Sequence, residues 1–164
     1  MYDTETILLD VKRLLLDSVK GINAQITFIN SDKSASDVAN YGKVITLDPV
    51  NSKALFLLNF DYSIPGFNVL AAIKIEKKDR GDMGDVNLTI GVKIAVLDKS
   101  DGTIDVRAVR YLQALENLFD RNRYFGGLRF SRMENMEASI AIDQQSGQSW
   151  REVGISLNQY YPEW

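Results

Sequence analysis

The chain contains neither cysteine nor histidine. The first absence excludes disulfides, thiol nucleophiles and cysteine-based metal sites. The second removes the commonest general base near neutral pH and every His-based triad or dyad. Positive charge is not in excess either: 19 basic against 22 acidic residues give a net charge of −3. Duplex-binding domains draw most of their non-specific affinity from neutralising phosphates, so tight nucleic-acid binding by the whole surface is not expected. No apolar run approaches the ~20 residues needed to span a bilayer. The acidic opening, Met1 to Glu5, lacks the basic stretch of a signal peptide. These absences predict a cytosolic product with no membrane association and no essential metal, nucleotide or other cofactor.

What is present suits one ordinary globular domain over residues 1–164, since 45% of the residues are apolar and 25% charged. Apolar residues at Ile7, Leu8, Val11, Leu14, Leu15 and Val19 follow the spacing of one helical face. Asp3 or Thr4 can cap that helix, and Gly21 supplies a stop. Ile22–Ile29 reads as a strand by its Ile-Thr-Phe-Ile core, and the polar stretch Asn30–Asn40 as a loop. Further strands are expected at Val44–Leu47 and Leu55–Tyr62.

Two long β-rich runs follow, Asn68–Glu76 and Val86–Leu97. In the second, Leu88, Ile90, Val92, Ile94 and Val96 alternate with Asn87, Thr89, Gly91, Lys93 and Ala95, the mark of a half-buried strand. Together they form a hairpin arm over about 68–97, with Lys77–Asp85 as a long tip. Asp98–Gly102 reads as a turn. A second helix is expected over Val106–Arg121, capped by Asp105, with Val106, Val109, Leu112, Leu115, Leu118 and Phe119 buried. The last third reads as a hairpin of Leu128–Asp143 and Trp150–Tyr160, with Ile140 and Ile142 facing Val153, Ile155 and Leu157. The fold class expected is α+β: a mostly antiparallel sheet with two helices packed on one face and a protruding long β-hairpin.

Several segments approach known motifs and fall short. Arg123–Phe130 comes close to an RNA-recognition signature, but Tyr124 replaces a glycine and Gly127 replaces a base-stacking aromatic. A glycine bend from helix into strand is the better reading. Asp79, Asp82 and Asp85 recur every third residue, yet the bidentate Glu of a calcium loop is missing and Lys77, Lys78 and Arg80 offset the charge. A solvated tip is favoured there. The carboxylate pairs Glu134/Glu137 and Asp101/Asp105 would suit a small hydrolase if they flanked a cleft. No catalytic, cofactor-binding or metal-binding residue is assigned.

Association surfaces are a different matter. The ending Tyr160-Tyr161-Pro162-Glu163-Trp164 is rich in the aromatic residues that favour interface cores, though these could equally fold back on their own sheet. The hairpin tip offers mixed charges and Met83. The candidate interface residues are therefore Lys78, Asp79, Arg80, Asp82, Met83, Asp85, Tyr160, Tyr161 and Trp164.

The sequence of elements resembles the tail terminator and tail-completion (head–tail joining) proteins of long-tailed bacteriophages. The likeness rests on the amphipathic helix Ile7–Val19, the hairpin strand Val86–Leu97, the helix Val106–Arg121 and the ending Trp150–Tyr160. It is one of element order, with no diagnostic motif. The resemblance implies a structural virion protein, made in the host cytoplasm and placed in the tail or neck. Such a protein forms a homo-oligomeric, six-fold ring that caps the tail tube and joins it to the head connector. Its partners would be itself, the tail tube protein and the head-connector protein, with DNA passing through the lumen without specific binding. A head-completion or connector adaptor, or the cap of a contractile injection machine, is the second reading in this class.

Overall fold

A computed structural model describes residues 4–41, 55–57, 69–97, 101–122, 124–125, 128–142 and 149–162. Four helices and six strands occur among them: α1 (Thr4–Leu16), α2 (Ile22–Asn30), α3 (Ala35–Tyr41), β1 (Leu55–Leu57), β2 (Val69–Arg80), β3 (Asp85–Val96), α4 (Asp101–Arg121), β4 (Tyr124–Phe125), β5 (Leu128–Ile142) and β6 (Ser149–Pro162). The protein is α+β. Its sheet runs in the order β1-β2-β3-β6-β5-β4 and is antiparallel except where β1 lies parallel to β2.

The centre of the sheet is β3, because its even-numbered side chains are apolar and both of its edges are paired. Ile90, Val92 and Ile94 lie in register with Leu157, Ile155 and Val153 of β6 on one side and with Ile75, Ile73 and Ala71 of β2 on the other. Nearly all of these are buried. At roughly 1.5–3 kcal/mol for each fully buried large aliphatic side chain, these rungs contribute much of the fold's stability. Two helices cover this face. Asp105 of α4 holds Arg151, which lies in register with Val96. Lys78, in register with Leu88, donates to Thr4 Oγ1 of α1 at 3.0 Å. Helices α1 and α4 therefore share one side of the sheet, as the two apolar stripes require. Helices α2 and α3 pack on α4, where Arg110 donates to Asn30 Oδ1 at 3.3 Å and to the Asp37 carbonyl at 3.5 Å.

Several expectations are corrected. Ile22–Ile29 is helical: Ile22, Gln25 and Ile26 are buried and Ile29 is half-buried, spaced as one helical face, and that period outweighs their β-branched character. Part of the Asn30–Asn40 loop is helix α3, capped by Ser34, whose Oγ accepts from Asp37 N–H at 3.2 Å. Helix α1 ends at Leu16, so Val19 is exposed. The Asp17 carboxylate accepts from Val19 and Lys20 N–H, each at 2.8 Å, and turns the chain toward Gly21, which opens α2 instead of closing α1. Helix α4 starts at Asp101, so Asp105 lies inside it, and Asp101-Gly102 is helix, not turn.

The buried face of α4 differs from the expected stripe. It carries Arg107, Ala108, Tyr111, Ala114, Leu115, Leu118 and Phe119, while Val106 and Val109 are exposed. Alanines let the helix approach its neighbours closely, and Arg107 hydrogen-bonds Tyr111. In the last hairpin the register departs too. Val153 pairs with Ala138, Ile155 with Met136 and Leu157 with Met133, while Ile140 pairs with Arg151. The register from Ile142/Ser149 to Met136/Ile155 is unbroken, and the irregularities at Glu134/Met136 and Phe130/Arg132 shift only the pairs beyond it, including Met133 with Leu157. The expected strand Val44–Leu47 and residues 58–62 of the next lie outside the described residues.

Candidate interaction surface at the hairpin end of the sheet

The β2–β3 connection is shorter than the expected tip. Lys77 to Arg80 continue β2, and β3 begins at Asp85. Gly81 N–H donates to the Asp85 carbonyl at 2.8 Å, and Gly84 N–H to the Gly81 carbonyl at 3.2 Å. Asp82, Met83 and Gly84 remain as a three-residue connection. Its last position needs a left-handed backbone, and Gly84 supplies it with φ of 80°. The carboxylate of Asp85 folds over Gly81. Nearly the whole of Lys77–Asp85 is thus built structure.

This geometry projects Met83 at the apex, 95% exposed. Below it, Lys77 Nζ pairs with Asp79 at 2.8 Å, and the hydrogen bond it donates there pushes the lysine above its usual pKa. Both partners are more than half exposed, so solvent screening leaves the pair little effect on stability. Asp79, Arg80 and Asp82 are exposed, and Asp85 is half-buried. Among the described residues, no group of three or more acidic side chains is arranged to hold a metal ion.

The C-terminal end of β6 arrives at the same place. Tyr160 pairs through its backbone with Asn87, Tyr161 with Val86 and Pro162 with Asp85. The structure therefore brings together two candidate segments some 75 residues apart in sequence, the hairpin tip and Tyr160-Tyr161. Trp164 lies outside the described residues. The first turn of α1 joins them through Lys78 and Thr4.

A polar strip on the face away from the helices leads up to this end, and sequence reasoning missed its key members. Ser156 Oγ donates to Glu76 Oε2 at 2.8 Å, spanning β6 and β2 across β3. The Glu76 side chain lies directly over Gly91, where any Cβ would collide with it. One step further out, Thr89 Oγ1 donates to Asn158 Oδ1 at 2.9 Å. Alternation in β3 had put Thr89 and Gly91 on this face. Nothing in the sequence links Glu76 to Ser156, because the two are 80 residues apart and meet only through the pairing of β2 and β6 with β3.

The carboxylates proposed for a hydrolase are partly accounted for. Asp105 accepts from Arg151 Nε at 2.7 Å, and the side chains of Asp101, Glu134 and Glu137 lie outside the described residues. The segment with RNA-recognition character contributes β4, whose Tyr124 and Phe125 pair with Arg129 and Leu128.

No protein-family model matches the chain, and no curated protein does. Among solved structures, a chain of the virion of a native gene transfer agent (GTA) particle is similar, with 9% identity and a TM-score of 0.35. The match covers 85% of this chain and 94% of that one. A likeness of that strength carries no argument about what this chain does.

Proposed function

We propose that this protein is a structural component of a phage-type virion. It closes into a six-fold ring at the end of a tail tube and joins that tube to the head connector, working by assembly and not by catalysis. Its partners are further copies of itself, the tube protein and the connector protein, and DNA crosses the lumen without specific contacts. The reading rests on the element order noted in the sequence. The observation that carries it is the convergence at one end of the sheet of the exposed Met83 apex, the mixed-charge stem Lys77–Arg80 and the backbone of Tyr160-Tyr161. Such an end offers apolar contact at its tip and charges that set register around it. Cyclic closure satisfies a repeated contact of this kind without leaving open fibres.

Electron micrographs and mass measurements of the purified protein, alone and with the tail tube protein, test this. Closed rings are expected. Met83→Asp should melt like the parent, since Met83 buries almost nothing, while ring formation falls sharply. A strictly monomeric protein at high concentration, absent from purified particles, would sink the proposal. Normal rings from Met83→Asp would move the interface elsewhere.

A further inference from the structure

A closed ring of three or more copies joins unlike surfaces: what one copy presents, the next must receive elsewhere on the molecule. The hairpin end with Met83 is the presenting surface, so a receiving one lies outside it. That surface has to offer an apolar seat for Met83 and opposite charge for the stem.

Five large apolar side chains are exposed among the described residues: Val19, Phe28, Met83, Val106 and Val109. Phe28 carries the Arg121 guanidinium 4.3 Å from its ring centroid, and Val19 lies in the link between α1 and α2. Val106 and Val109 differ from these. They are 42% and 63% exposed and one turn apart on α4, so their side chains make one seat. Asp105 holds Arg151, which pairs with Val96, whereas Met83 lies just before β3 begins at Asp85. The seat is therefore at the opposite end of β3 from the tip, roughly 33 Å away along the strand. Surfaces so placed join copies head to tail.

Charge follows the same axis. Val106, Val109, Gln113, Glu116 and Asp120 recur every three or four residues along one ridge of α4. The arginines of this helix are engaged elsewhere: Arg107 is buried, Arg110 donates to Asn30 and the Asp37 carbonyl, and Arg121 stacks on Phe28. Glu116 and Asp120 lie about 10 and 16 Å beyond Val109 along the helix. Arg80 and Lys78, exposed on one face of β2, trail Met83 by about 10 and 16 Å along the strand. The two spacings match.

We infer that the Val106/Val109 seat on α4 receives the hairpin end of a second copy, with Met83 on the valines and Arg80 and Lys78 beside Glu116 and Asp120. This rests on the ring proposed above and adds its receiving half.

The absence of cysteine lets the contact be tested by cross-linking in the full chain. Under the conditions that give rings, mild oxidation of Met83→Cys/Val109→Cys should yield a ladder of covalent oligomers up to ring size. Either single variant should give no more than traces of dimer. Val106→Asp/Val109→Asp should melt like the parent, since both positions are exposed, and form rings roughly tenfold less well. Mixed with Met83→Asp it should give dimers and no rings, because only one presenting end and one receiving seat survive. Parent rings without cross-linking of the double-cysteine variant overturn the inference and leave the ring reading standing. Normal rings from Val106→Asp/Val109→Asp do the same, including rings that have lost only the tube protein. A parent that forms no ring, with or without the tube protein, sinks both.

Discussion

Strands β2 and β3 are twelve residues each and share one hairpin, yet they live in different surroundings. β3 is buried on its helix-facing row from Val86 to Val96. β2 is buried only from Val69 to Ile73 and exposed for most of its length beyond Ile75. The difference comes from what pairs with each. β3 has a strand on both sides throughout, whereas among the described residues β2 has a second neighbour only over Ala71–Ile73. A hairpin can therefore be half core and half surface, and the change shows in composition: Val-Leu-Ala-Ala-Ile gives way to Lys-Lys-Asp-Arg.

The largest test of this contrast pairs two substitutions on the same hairpin. Ile90→Ala, in the fully buried strand, should cost about 2–5 kcal/mol. Lys78→Ala, in the exposed half of β2, should stay within about 0.5 kcal/mol in the same denaturant melt. Similar costs for both would mean that the distal stem belongs to the core. A smaller effect is expected at the connection, where Gly84→Ala forces a side chain into the left-handed region at about 1–2 kcal/mol. If Gly84→Ala melts like the parent, the turn that shortens the tip is not the one described.

The smallest effect concerns Glu152, on the face away from the helices in register with Ala95. Burial pushes its carboxyl above the usual value. A raised folded-state value means that the protonated form is favoured by folding. Its contribution is therefore fully present below the ordinary glutamate range and lost as pH rises through the folded value. Glu152→Gln should raise the melting temperature slightly at pH 7 and lose that advantage near pH 4. An equal shift at both pH values would show that burial of the charge is not the cause.

Legibility followed periodicity and failed where composition competed with it. The stripe of α1 and the alternation of β3 were strong enough to read directly, and so was the final hairpin. In α2 the spacing of Ile22, Ile26 and Ile29 was already helical, but β-branching pulled the reading toward strand. Helix α3 carried only a Ser34 cap as its signal. In α4 the valines looked like core and the alanines did not. Yet Ala108 and Ala114 face inward and Val109 faces out, because tertiary packing rewards close approach over side-chain size. The candidate interface residues were readable as two separate segments. Their meeting was not, since it depends on β6 pairing with β3 as well as with its hairpin partner β5.

That pairing governs the order in which the chain can acquire its structure. Strand β3 lies midway along the sequence, but one of its two edges is filled only by residues 151–162. During synthesis, with the N-terminal residues emerging first, β3 must wait for the last strand with half its hydrogen-bonding capacity unmet. Contacts of such long sequence separation slow folding and leave an aggregation-prone intermediate in the interval. A nascent chain stalled before Ser149 would thus leave one edge of β3 unpaired, and should depend on chaperones in a way that the released protein does not.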